Sequence, residues 1–465
     1  MAAVCAGLLM GLAAGNRAAA ETLEQALVQA YLNNPTLQAG RASLRATDER
    51  VPQALSGWRP TVTMSGSAGY DITDNRARAT VGTRRTEATH PTNFDLEVRQ
   101  PVFRGLRTVS ATREAENQVL ADRARLKDTE QSVLFQAVTA FMDVVRDQAV
   151  LELTINNERV LERQLEAARD RFEVGEITRT DVSQAESRLS RATAQRIAAE
   201  GDLTSSRATY EKVIGVMPGR LMKPEVRLAL PAKLQESVEL ASAENPNVVS
   251  AQYTAAAASE RIKVVRGELL PEFEVVGKVE RTKETGTPQQ MSESASVTAE
   301  LTVPIYQSGS VQSRVREAKQ VFGQRQVELE EARRQAIEDA VQAWENLETA
   351  RAQIRAFQSE VRATGIALEG VQEEATVGAR TVLDVLDAEQ EFLDAQVNLV
   401  RAERDEIVAQ YQLTAAIGRL TAEDLGLAVE YYDETQHYRR VRGKWFGLGA
   451  GEIDPGGPTA GAAPQ

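Results

Sequence analysis

The sequence predicts a mixed, mostly α-helical fold, built as an internal tandem duplication in which each copy adds one β-hairpin to its helices. Three observations predict it. A segment around a glycine recurs 203 positions later: Val174, Gly175, Asp181, Val182, Ala185 and Glu186 return as Val377, Gly378, Asp384, Val385, Ala388 and Glu389. Two long runs, from about Leu106 to Phe172 and from about Val311 to Gln372, contain no proline, and the first contains no glycine. At ~1.5 Å per residue each is a helix of roughly 100 Å. Four short segments alternate apolar and polar residues, which is the period of strands with one greasy and one wet face.

Composition agrees with long helices. Aromatic residues make up 5% and charged residues 26% of the 465 positions, a mixture suited to helices with small residues in their seams. A net charge of −13 disfavours nucleic acid as a partner. Residues 1–20 read as a secretory signal: an apolar run to Gly15, then Ala18-Ala19-Ala20 before Glu21. Cys5, the only cysteine, leaves with that signal, and Val4 before it gives no lipidation context, so neither disulfide nor zinc chemistry is expected. No later apolar run reaches the ~18 residues of a transmembrane helix. A membrane, if entered, is entered by strands.

The first copy, 21–220, opens with a short amphipathic helix from Leu23 to Asn33. Asn34-Pro35 breaks it, a second helix runs from about Thr36 to Gly57, and Trp58-Arg59-Pro60 ends that one. The second copy, 221–430, repeats the plan: Leu234 to Glu244, Asn245-Pro246, a helix, then Leu269-Leu270-Pro271, with the two prolines 25 apart in both copies. A hairpin follows at about 61–103. In it Val62, Met64, Gly66, Ala68, Tyr70 and Ile72 alternate with polar residues, then Phe94, Leu96 and Val98 do so up to Pro101-Val102-Phe103. The second hairpin, about 272–306, carries Phe273, Val275, Gly277 and Val279, then Val297, Ala299, Leu301 and Val303, up to Pro304-Ile305-Tyr306. Four strands of this length suit a transmembrane barrel wall, but the smallest closed barrels have ~8. Either several chains share one barrel, or the strands form a small soluble sheet on the helices. The wet loops, one with Arg76, Arg78, Arg84 and Arg85 and one from Lys283 to Gln290, favour the membrane.

In the second long run, Ala340, Leu347, Ile354, Val361 and Leu368 recur every seventh residue, with Ala343, Ala350 and Phe357 three residues on from the first three. This is a heptad seam whose small members let helix axes approach closely. The returning helices, Thr180 to Ile214 and Thr381 to Ile417, are about half as long, so something must cover the remainder, and the helix after Pro35 or Pro246, stacked end to end with the returning one, is the natural candidate. Val216 to Pro231 reads as a linker strapped around the helices. A C-terminal segment, 431–465, follows; after about 447 it is low in complexity and reads as disordered.

At this point the pattern resembles the TolC-like outer-membrane efflux ducts. The residues that carry the resemblance are the paired Asn-Pro helices, the hairpins ending in Pro-Val-Phe and Pro-Ile-Tyr, and the tip motifs V-G-x5-D-V from Val174 and G-x-R-T-V-L-D-V-L-D-A from Gly378. They span about residues 21–430. Tyr432-Asp433, His437-Tyr438 and Lys444-Trp445-Phe446-Gly447 are similar to the version found with type I protein secretion. The resemblance implies a homotrimer whose four strands per chain make a twelve-stranded barrel in outer-membrane lipid, continuous with a long α-helical barrel in the periplasm. It implies export of drugs or secreted proteins, with a periplasmic adaptor and an inner-membrane pump docking at the helix–turn–helix tips. A soluble periplasmic coiled-coil adaptor is the alternative, which accounts for the heptads but not for matched hairpins.

The residues expected to carry function lie at the tips. Gly175 and Gly378 end long helices, and Thr178-x-x-Asp181 and Thr381-x-x-Asp384 read as capping boxes that open the returning ones. By the resemblance, the turns with Val174 and Val377 dock the adaptor. Asp384 and Asp387, three apart, project near one helix face, and the resemblance makes them the periplasmic constriction, a carboxylate ring that concentrates cations. Capping alone also accounts for Asp384. Asp387 is Gln184 in the other copy, so the duplication does not require a carboxylate there, and a solvated face is its plain alternative. Arg380, which is Ile177 in the other copy, resembles the family arginine that ties neighbouring tip helices, with Asp181 as its partner; a plain surface pair is the alternative. Where some relatives place an aromatic gate residue before the turn glycine, this chain has Ala375. Gly365 and Gly370 near the tip read as sites of close helix approach or as a hinge. His90 and His437 are far apart, in no metal-type spacing, and no serine sits in a nucleophile elbow, so neither enzyme nor cofactor is expected.

Overall fold

The computed structural model describes residues 21–75, 85–225, 228–285 and 289–449. The expected signal at 1–20, most of the basic loop at 76–84 and the tail from 450 lie outside the described residues.

The duplication is visible in the element order. The first copy contains α1 (Leu23–Asn33), α2 (Pro35–Asp48), α3 (Arg50–Leu55), strands β1 (Thr61–Ala68), β2 (Asp71–Asn75), β3 (Arg85–Thr89) and β4 (Thr92–Arg104), then α4 (Arg107–Glu173) and α5 (Arg179–Ile214). The second contains α6 (Leu234–Glu244), α7 (Pro246–Gly267), β5 (Glu272–Lys283), β6 (Met291–Thr302), α8 (Ser310–Thr376) and α9 (Val382–Ala416); a short α10 (Gln436–Val441) follows. The two long helices have the same length, 67 residues.

End-to-end stacking is achieved by one residue type used twice. Asn34 accepts from Thr36 N at 2.9 Å, capping α2, while its Nδ2 donates at 2.9 Å to the Val213 carbonyl at the end of α5. Asn245 does the same between Asn247 N and the Ala416 carbonyl, at 2.9 and 3.1 Å. Each asparagine therefore satisfies an orphan donor of one helix and an orphan acceptor of another. Around the Asn34 joint lies the largest apolar cluster among the described residues, including Leu27, Leu37, Leu134, Phe141, Tyr210 and Ile214. In the α8 seam, Ala340, Ala343, Leu347, Ala350 and Leu368 are buried, while Ile354, Phe357 and Val361 are half-buried. The described residues of the linker after Val216 are non-helical; Leu221 is buried and bridged to Glu21, and Lys223 reaches Glu403 at 2.8 Å.

Three expectations need correction. The helix expected from Thr36 to Gly57 stops at Asp48 and restarts at Arg50. Pro52 is the cause: it has no N–H to give the Asp48 carbonyl four residues back. The first hairpin is also not continuous. Gly69-Tyr70 and His90-Pro91 separate the β2–β3 ribbon from β1 and β4, and Gly69 N bonds the Pro91 carbonyl at 2.9 Å across the break. A proline there has no donor for the ladder. Finally, Pro101-Val102-Phe103 lies within β4, at a bulge, whereas β6 stops at Thr302 before Pro304.

The main sheet is antiparallel in the order β1-β4-β5-β6. Leu96 faces Met64 on one side and Val279 on the other, and Val279 faces Ala295, so apolar residues share one face. That face is open: Val62 is 65% and Val297 81% exposed. The opposite face carries charge, with Arg99 bound to Glu97 and Glu274 and 3.7 Å from Glu300, and Lys278 3.1 Å from Glu280. β1 and β6 are the two edges, so the sheet of one chain is a strip that another strand could extend at either side.

Sheet and long helices meet at a paired left-handed kink. Gly105 and Leu106 take φ of 57° and 61° before α4; Ser308 and Gly309 take 52° and 76° before α8. The glycine occupies the first position in one copy and the second in the other, although the backbone path is shared.

Candidate functional site at the helical tips

Both tips close by the same chemistry. Gly175 N bonds the Phe172 carbonyl at 3.0 Å and Glu176 N the Arg171 carbonyl at 2.9 Å; Gly378 and Ala379 repeat this to Ala375 and Glu374 at 3.1 and 2.9 Å. These are the two bonds of a Schellman end, and they demand a left-handed residue, supplied by φ of 81° at Gly175 and 78° at Gly378. Both capping boxes form. Thr178 N donates to Asp181 at 2.8 Å and Thr381 N to Asp384 at 2.9 Å, with the threonine oxygens accepting in return. These backbone N–H groups hold both aspartate carboxyls below the usual range. Each carboxylate is thus engaged within its own turn. Val174 and Val377 are exposed at the ends.

The structure redistributes the expected charge pairs. Within the chain Arg380 does not meet Asp181: its Nε donates to Glu374 at 2.8 Å, while Asp181 is held by Thr178. The first copy closes its turn with a similar bridge of reversed polarity, shifted by one residue: Arg171, the counterpart of Glu374, reaches Glu176 at 3.0 Å. Asp387 is bound by Arg188 of α5, a residue that the sequence reading missed. That pair joins the two copies. Next to it Leu386 is buried among Leu161, Leu165, Ala168, Ala185 and Ala192 of the first copy, so this stretch of α9 is pinned by packing and charge together. The available signal was an arginine one turn beyond Gln184, the counterpart of Asp387. A Cβ on Gly365 would sit 3.3 Å from the Phe392 ring, which supports close helix approach there; at Gly370 a Cβ would meet nothing within 4 Å.

A buried carboxylate adds a pH response. Glu389 accepts from Gln372 at 2.9 Å, whereas the matching pair of the first copy is Arg169 with Glu186 at 2.8 Å. With an amide as its hydrogen-bond partner, burial pushes the Glu389 carboxyl up. The folded tip thus holds this proton more tightly than the unfolded chain. Stability from this group is full below the unfolded value near 4.5 and is lost as pH rises through the raised folded value. Glu389→Gln should flatten that part of the profile and leave the tip more stable at neutral pH, as read by hydrogen exchange of α9 amides against pH.

Among the described residues there is no group of three or more His, Cys, Asp or Glu placed to hold a metal ion, and no helix is long and apolar enough to cross a membrane. What the fold offers instead is a strip of sheet with an apolar face, continuous through kinked joints with helices of 67 residues that end in closed turns. That combination defines a channel-forming protein of the outer membrane with a helical periplasmic extension. The chain belongs to the family described as outer membrane efflux protein, whose model matches residues 26–216 and 238–419. It is 37% identical over 435 residues to the outer membrane efflux protein BepC of Brucella suis, covering 93% of each chain. It is 27% identical to the outer membrane protein TolC of Vibrio cholerae, covering 87% of this chain and 92% of that one. In fold it is similar to the Campylobacter jejuni CmeC outer membrane channel, with a TM-score of 0.76, 16% identity, and coverage of 91% of this chain and 89% of that one. The alternative of a soluble adaptor falls with this assignment, and the family is one of transport proteins rather than enzymes.

Proposed function

We propose that three copies of the chain close one twelve-stranded barrel in outer-membrane lipid, above a tunnel of long helices, and form a passive conduit for drugs or secreted proteins. The observation that carries this reading is the four-stranded strip with two edges, apolar on one face and charged on the other. A periplasmic adaptor and an inner-membrane transporter supply drive and substrate choice, docking at the turns of Gly175 and Gly378 with Val174 and Val377 presented to them.

Asp384 and Asp387 line the periplasmic mouth in this reading. Arg380 contacts Asp181 of a neighbouring chain when the mouth is shut, exchanging Glu374 for it. Opening separates those contacts and the Arg188–Asp387 bridge. Single-channel recording in planar bilayers tests the gate. Asp387→Ala should weaken block by multivalent cations, and Arg380→Ser should raise open probability. No change in either would refute the gate assignment and leave the fold untouched.

A further inference from the structure

The tip and barrel leave one patch unused. Residues 439–448, Arg-Arg-Val-Arg-Gly-Lys-Trp-Phe-Gly-Leu, hold four cations and no acid in a chain of net charge −13. The segment is clasped to the helices on one side. His437 Nδ1 lies 3.1 Å from the fully buried Asp48, Tyr438 donates to Glu116 at 3.2 Å, and Arg442 reaches the same carboxylate at 3.2 Å. Its far end is clasped to the foot of the sheet. Arg59, two residues before β1, donates to the Lys444 carbonyl at 2.8 Å, and its guanidinium carbon lies 5.0 Å from the Trp445 ring centre. Trp58 is tied to β4 through Gln100, at 3.0 Å.

Despite these clasps, Trp445 is 57% and Phe446 85% exposed. They stand at the end of the strands where Val102, Phe103, Leu270, Ile305 and Tyr306 are also exposed. The two rings therefore stand beside the foot of the sheet, at the end where its exposed apolar residues leave the strands. Aromatic rings with neighbouring Lys and Arg are the chemistry of the headgroup layer: the ring sits at the apolar boundary and the cation meets phosphate. We infer that residues 439–448 form a membrane-surface anchor, with Trp445 and Phe446 set into the leaflet facing the helical bundle and Arg439, Arg440 and Lys444 directed at anionic phospholipid. Glu116 and Asp433 offset part of this charge, through Arg442 and Arg439. The anchor fixes the height of the helices against the bilayer.

The test rests on the outer-membrane placement established by the family and uses the whole chain in vesicles of phosphatidylethanolamine and phosphatidylglycerol. The three tryptophans are Trp58, Trp344 and Trp445. With Trp58→Phe and Trp344→Phe, the remaining Trp445 is expected to lose about half its emission to lipids brominated near the headgroup and much less to lipids brominated near the chain end. The reciprocal chain keeping only Trp344 should be unquenched. A reporter at Val297→Trp, on the barrel face, marks correct insertion. Should that reporter be quenched while Trp445 is not, the anchor is overturned and the barrel stands. Trp445 shielded from both lipid bromine and aqueous acrylamide would place it between protein copies, which also overturns the proposal. An unquenched reporter would remove the barrel and the anchor together. If the single-tryptophan chain does not fold, Trp58→Phe compared with Trp58→Phe/Trp445→Phe gives the same answer by difference: removing Trp445 should remove the shallow component of quenching, and its persistence would overturn the anchor. Replacing phosphatidylglycerol by a zwitterionic lipid should reduce that component, and an unchanged component would overturn the assignment to anionic lipid.

Discussion

Gly105→Val is expected to cut the yield of folded channel sharply and to lower the denaturant midpoint of whatever folds. Gly105 has φ of 57°, and a Cβ there would fall on the carbonyl oxygen of Gly267, with the Leu270 side chain 2.9 Å away. The first effect, a branched residue held left-handed, costs about 1–3 kcal/mol. The second, an atom driven into backbone, costs about as much again. Neither neighbour is the free end of a side chain, so relief requires moving α7 against the foot of β4. Gly309, the glycine of the matching kink, separates the two effects. Its φ is 76° but a Cβ there would meet nothing within 4 Å. Gly309→Val should therefore cost only the conformational part, about 1–3 kcal/mol, measured by guanidinium unfolding in detergent. Equal losses at the two sites would show that contact with Gly267 is not what demands glycine.

Arg188→Asp should open the periplasmic end. The substitution sets two acids face to face where α5 and α9 now attract, at the ion pair that joins the copies beside Leu386. An exposed pair is worth about 0.5 kcal/mol. Three symmetric sites acting on one closed–open equilibrium give about 1.5 kcal/mol, or about tenfold in open probability. The reversed pair, Arg188→Asp with Asp387→Arg, should return conductance towards the parent. A double variant as leaky as the single one would mean that packing of Leu386 holds the tip, with charge incidental.

These residues also show where sequence reasoning reaches and where it stops. The tip turns were legible because their requirements are local: a glycine where φ must be positive, and a threonine three residues before an aspartate. The Asn-Pro breaks were legible for the same reason, and their repetition at equal spacing exposed the duplication. The end-to-end columns followed from helix lengths alone. Pro52 and Pro91 were not legible as breaks, because their consequences depend on which carbonyl or ladder each would have served. The partners of Arg380 and Asp387 were not legible. Whether Arg380 turns to Glu374 or elsewhere, and whether Arg188 lies opposite Asp387, depends on how the helices are placed across the repeat. The docking of Trp445 against Arg59 is longer in range still, joining residues from opposite ends of the chain.

Native mass spectrometry of the particle released from outer membranes in detergent tests the central claim most directly. The strip of four strands can close only by sharing its β1 and β6 edges, and the account predicts one species of three chains. A single chain, stable and dispersed without detergent, would contradict it.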